Sequence, residues 1–137
     1  QQTSTLSAWV GKEVRAQGSG WFDGQMVTVL PKVNTTADKA VLVVKDQAGS
    51  VVQRLDIPVS NDPIQWAGID EDGSVLPTGY YSFEVESHRQ FEVTGTEPSE
   101  TYSRVVEAQV DGTAISLVLE GGKVLPTAEV NALREPV

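Results

Sequence analysis

The 137-residue sequence has no cysteine. That excludes disulfide frameworks, thiolate zinc sites and thiol nucleophiles together, and leaves the redox compartment open. Histidine occurs once, at His88, so a catalytic triad would rest on a single residue in Glu86-Ser87-His88-Arg89; a lone histidine at a strand end reads as a solvated surface residue. Basic residues are few: 10 Lys+Arg stand against 19 Asp+Glu, a formal net charge of -9. A field of that sign repels phosphate backbones and anionic bilayers, so neither nucleic acid nor membrane is an expected partner. No apolar run approaches the roughly 20 residues that a membrane-spanning helix needs. The chain begins Gln1-Gln2-Thr3-Ser4-Thr5 without a methionine, which suggests a processed or truncated piece, and targeting signals are not judged from it.

What is present is alternation. Short β-branched or period-two runs recur over Val10 to Ala16, Met26 to Leu30, Ala40 to Lys45, Val51 to Ile57, Tyr80 to Ser87, Tyr102 to Val110 and Thr113 to Leu119, the signature of strands. In Tyr81, Phe83 and Val85 against Ser82, Glu84 and Glu86, one face is apolar and the other carries carboxylates to water. Turn signals separate the runs at Gln47-Ala48-Gly49, Asp72-Gly73, Thr78-Gly79, Asp111-Gly112 and Gly121-Gly122, with Asp111-Gly112 the clearest hairpin. Only Thr127 to Leu133 suits a helical turn or two, after Pro126. Residues 1–5 read as a polar tail, and Thr94 to Glu100 as an exposed loop or a domain border. The fold class is all-β.

Chemical motifs fail on spacing. The segment Asp70-Glu71-Asp72-Gly73 resembles a calcium loop, but counting from Asp70 the sixth position is Val75 and the twelfth Tyr81, where an EF-hand requires Gly and Glu. It reads as turns whose acidic side chains bond backbone amides; no metal or other cofactor is expected. Gly18-Ser19-Gly20 is not followed by the Lys-Ser/Thr of a phosphate loop. The acidic residues offer no marked glycosidase pair, and no enzyme is expected. The aromatics Trp9, Trp21, Phe22, Trp66, Tyr80 and Tyr81 serve either as core plugs or as a sugar-binding platform. Trp21 and Phe22, in a Gly-flanked loop, are the candidate partner contact.

Three stretches carry a resemblance, in order along nearly the whole chain: Leu6-Ser7-Ala8-Trp9-Val10-Gly11-Lys12-Glu13-Val14; Ile64 to Gly73 (IQWAGIDEDG) with Leu76 to Phe83 (LPTGYYSF); and Leu117 to Val124 (LVLEGGKV). They are similar to the L-x-G-K-x-V opening, the W-x-G-x-D-x-x-G-x-x-L-P-x-G-x-Y-x-F centre and the L-x-x-G-G turn of the C-terminal globular part of the flagellar hook-capping family, FlgD. The resemblance implies a fibronectin type III-like sandwich over residues 31–89, inserted into a Tudor-like small barrel built from residues 6–30 and 90–137. It does not include the family's largely helical N-terminal segment.

In that fold Trp66 would plug the sandwich, Gly68, Gly73 and Gly79 would permit chain reversals, and Tyr81 and Phe83 would supply the opposing apolar row. The function implied is a non-enzymatic scaffold: a subunit of a homo-oligomeric, pentameric cap, exported through the flagellar type III apparatus to the hook tip, assisting polymerisation of hook protein there and not retained in the finished filament. The alternatives are a carbohydrate-binding or adhesin-type β-sandwich and, further off, a β-fold hydrolase.

Overall fold

A computed structural model describes residues 6–136; the expected polar tail, 1–5, lies outside the described residues. The chain is all-β, with a curled half-barrel sheet and a second sheet. It divides into two compact units, named for their place along the sequence: residues 17–101 form the inner one, and those up to Ala16 join those from Tyr102 onward in the outer one.

In the inner unit, β2 (Gly20–Phe22), β7 (Gly79–Arg89), β4 (Lys39–Lys45) and β5 (Val51–Ile57) pair in that order, and β8 (Glu92–Pro98) pairs with the far half of β7. A second layer pairs β3 (Val27–Leu30) with β6 (Ile64–Trp66) on one side and with Glu100 and Thr101 on the other. The period of two along β7 buries Tyr81, Phe83, Val85 and Ser87, and the first three meet Ala40, Leu42 and Val44 of β4 with Val27 and Val29 of β3 in one core. Val41 and Val43, on the opposite face of β4, are buried as well. They sit in register between Asp56 and Glu86 and between Arg54 and Glu84, so long charged side chains flank them and shelter them with their aliphatic stems.

In the outer unit the order is β11 (Val124–Pro126), β10 (Ala114–Leu119), β9 (Glu100–Asp111), β1 (Glu13–Gln17) and β12 (Ala132–Arg134). Gly112, at φ +67°, turns β9 into β10 at the Asp111-Gly112 hairpin. Val14, Ala16, Val105, Leu117, Leu119 and Leu125 form its core, with Trp9 packed against them. Gly11, at φ +87°, aims its N–H at the Val105 carbonyl, 2.9 Å away, so β1 begins at Glu13 and not at Val10.

Two expectations are corrected. Most of Thr94 to Glu100 is not a loop but strand β8, an exposed edge whose order comes from backbone bonds to β7. Thr127 to Leu133 forms one 3-10 turn, Thr127–Glu129, and then enters β12. The compact units divide at 16/17 and 101/102, a different division from the sandwich and barrel that the resemblance implies, at 30/31 and 89/90; Gly20–Phe22 pairs with β7 and Val27 and Val29 pack in the inner core, so Gln17 to Leu30 goes with the inner unit.

Candidate functional site

The motif around Trp66 builds a cluster of rings. Trp66 ends β6 opposite Val27 and is 2% exposed, with ring centroids 5.1 Å from Phe22, Tyr81 and Phe83. The Phe22, Phe83 and Tyr81 rings meet their neighbours edge-on or tilted, as aromatic quadrupoles favour. The indole Nε1–H donates to Gln53 Oε1 at 2.8 Å, and Gln53 Nε2 donates onward to the Ile69 carbonyl at 2.7 Å. The polar edge of the buried indole is thereby satisfied. Tyr81 Oη donates to the Pro77 carbonyl.

Gly68 closes this cluster. It stands at φ +69°, and a Cβ there would fall 2.3 Å from Cζ of Phe22. The position therefore demands glycine twice, for its backbone and for the approach of a ring. Gly73, at φ +83°, faces open space and serves the turn alone. Gly79 differs from expectation: it is not in the left-handed region but opens β7 opposite Phe22, and a Cβ there would make only ordinary contact with Gln47.

The acidic loop is a turn held by its own first residue. Asp70 Oδ1 accepts the N–H groups of Asp72 at 3.0 Å and Ser74 at 2.9 Å, while backbone bonds link Asp70 to Gly73 and Ser74. Asp46 does the same with Ala48 and Ser50, both at 3.0 Å, and its backbone bonds repeat the pattern. The common Asp-x-x-Gly-Ser in Asp46 to Ser50 and Asp70 to Ser74 was the available signal, and sequence reasoning took only the second as a candidate site. Among the described residues no three His, Cys, Asp or Glu side chains gather as a metal-holding group.

Trp21 and Phe22, paired in the sequence reading as a partner contact, part company. They are consecutive in β2, so they point to opposite faces. Phe22 is 0% exposed inside the ring cluster, which overturns its assignment as a contact. Trp21 remains half-buried on the outer face, edge-on to Tyr80 at 5.0 Å. His88 is not a solvated residue either: its side chain is 17% exposed, with Nε2 3.3 Å from Glu86 Oε1. The Arg54 guanidinium donates both terminal amines to Glu86 and holds that carboxyl below the usual carboxylate range. The arrangement is a ladder of charged and polar side chains across β5, β4 and β7.

Sequence reasoning missed the tip of the β7–β8 hairpin. Arg89 pairs with Glu92, leaving Gln90 and Phe91 as a two-residue turn with φ of +51° and +72°, and Phe91 is fully exposed. No Gly or Asn advertises a turn there.

The FlgD Ig-like domain family model matches residues 15–91, more than half of the chain. The chain belongs to the FlgD family. Among curated proteins none matches. Two solved structures share the fold: FlgD from Xanthomonas campestris, 20% identical, with a TM-score of 0.75 and coverage of 99% of this chain and 100% of that one, and FlgD from P. aeruginosa, 22% identical, with a TM-score of 0.67 and coverage of 91% and 97%. The matched span begins inside β1 and ends at the hairpin tip, so the FlgD Ig-like domain corresponds to most of the inner unit.

Proposed function

We propose that this FlgD-family chain is a subunit of the cap on the growing flagellar hook, a non-enzymatic scaffold that assists polymerisation of exported hook protein at the hook tip and leaves before the structure is finished. The observation that carries the reading is the family match over the inner unit; the X. campestris protein, described in connection with hook capping essential for flagellar assembly, shares the fold along nearly the whole chain. The geometry agrees with a scaffold's needs. The ring cluster is buried in the core of the inner unit, and the Arg54–Glu86 pair and the hairpin tip at Phe91 lie at the surface. Hook protein and other copies of the chain are the proposed partners, and the hook tip, reached by flagellar export, the proposed location.

The test is binding of monomeric hook protein to the purified chain, read by light scattering as the hook protein polymerises. A cap subunit changes the onset of polymerisation at a small fraction of the hook-protein concentration; an unchanged time course at equimolar chain contradicts the proposal. The sugar-platform reading keeps one observation, the half-buried Trp21 beside Tyr80. Tryptophan fluorescence titrated with a glycan panel separates the two, since a scaffold gives no saturable shift.

A further inference from the structure

The hairpin tip holds a large apolar side chain where physics disfavours one. Two-residue turns with positive φ at both positions are built from Asn and Gly, because side chains with a Cβ are strained there. Here the positions are Gln90 and Phe91, at +51° and +72°, and the Phe91 ring is fully exposed. The turn is also braced: Gln90 N–H donates to Asp38 Oδ2 at 2.9 Å, Asp38 N–H donates to the His88 carbonyl at 2.8 Å, and Arg89 Nη1 donates to the Thr36 carbonyl at 2.9 Å. A strained, exposed and rigidly presented aromatic is the form of an interface anchor.

The same unit contains a hole of matching chemistry. Between β5 and β6, neither of which has a second partner strand among the described residues, lies a groove of about 350 Å³ lined chiefly by Leu55, Ile57, Ile64, Trp66 and Ile69. Apolar cavities of about 150 Å³ suffice for a benzene ring, so a phenyl ring fits with room for the turn that carries it. Both surfaces carry a charge of each sign: Arg89 and Glu92 flank the knob, while Asp56 lines the groove and pairs with Lys39 at 4.0 Å.

We propose that Phe91 of one copy of this chain seats in the β5–β6 groove of a second copy. One knob and one hole per copy allow a reciprocal pair or a head-to-tail series that closes into a ring. The inference deepens the cap reading by naming a contact through which copies meet, and its experiment contains no hook protein, so a failure here leaves the polymerisation test standing.

The experiment is sedimentation equilibrium of the chain and two variants, in salt that screens a net charge of -9 per copy. Phe91→Gly removes the knob and suits the turn, so its denaturation midpoint equals or exceeds that of the parent; Ile69→Lys places a charge on the half-exposed rim of the groove. The parent associates, each variant sediments as a single copy, and an equimolar mixture of the two regains a two-copy species, because one supplies the groove and the other the knob. A parent that stays single up to about 1 mM, the weak end of specific binding, overturns the proposal. So does a Phe91→Gly variant that associates like the parent, or a mixture that regains nothing.

Discussion

Gly68 is the residue on which the ring cluster turns. Glycine there lets the Phe22 ring lie within 2.4 Å of where a Cβ would be, so Gly68→Ala is expected to cost about 1–3 kcal/mol from overpacking besides its backbone strain. Gly73→Ala meets no neighbour and should cost only the left-handed backbone term, about 1–2 kcal/mol, so the order of the two urea midpoints checks the assignment. Trp66→Ala empties the middle of the same cluster and should cost about 3–5 kcal/mol; an unchanged midpoint would contradict the packing described. Glu86 contributes a pH dependence of definite sign. Its folded carboxyl titrates below its unfolded value because Arg54 bonds to the charged form. The stabilisation is therefore complete above the ordinary carboxylate range and lost as the pH falls through the lowered value. Arg54 is half exposed, which keeps the effect small. The midpoint gap between the parent and Arg54→Gln should close as the pH drops from about 7 to about 3; a gap that widens would contradict the sign.

At the scale of elements, the two Asp-x-x-Gly-Ser turns behave as one device used twice. Asp46→Ala and Asp70→Ala each remove an acceptor of two amides. Each should lower stability by about 1 kcal/mol per lost bond or less, since water reaches these exposed turns, and added calcium should leave the parent's midpoint where it was. Strands with β-branched alternation were legible: β4, β5, β7 and the β9–β10 hairpin announce themselves because their side chains and their pairing agree. Strand β8 did not, since Thr94-Gly95-Thr96-Glu97-Pro98 has little strand preference and is held by β7 from outside the segment. The β7–β8 turn was hidden for the opposite reason: Gln90-Phe91 reads as more strand. Of the candidate site, the glycine-spaced motif was visible, but the burial of Phe22 and exposure of Phe91 depend on which face a three-residue strand and a strained turn present.

For the whole molecule, the residues that invited chemistry in the sequence have structural partners in the fold. His88 sits against the Glu86 carboxyl, Asp70 of the calcium-like loop accepts turn amides, and the aromatic motif lies in a closed core. In the proposed role, recognition falls to the outer surface of this FlgD-family chain. The proposed role therefore makes a cellular claim, tested most directly by deleting the gene for this chain in its own bacterium and counting hooks by electron microscopy while assaying the medium for hook protein. The account predicts cells without hooks that shed unpolymerised hook protein into the medium; normal hooks on the deleted strain would contradict it.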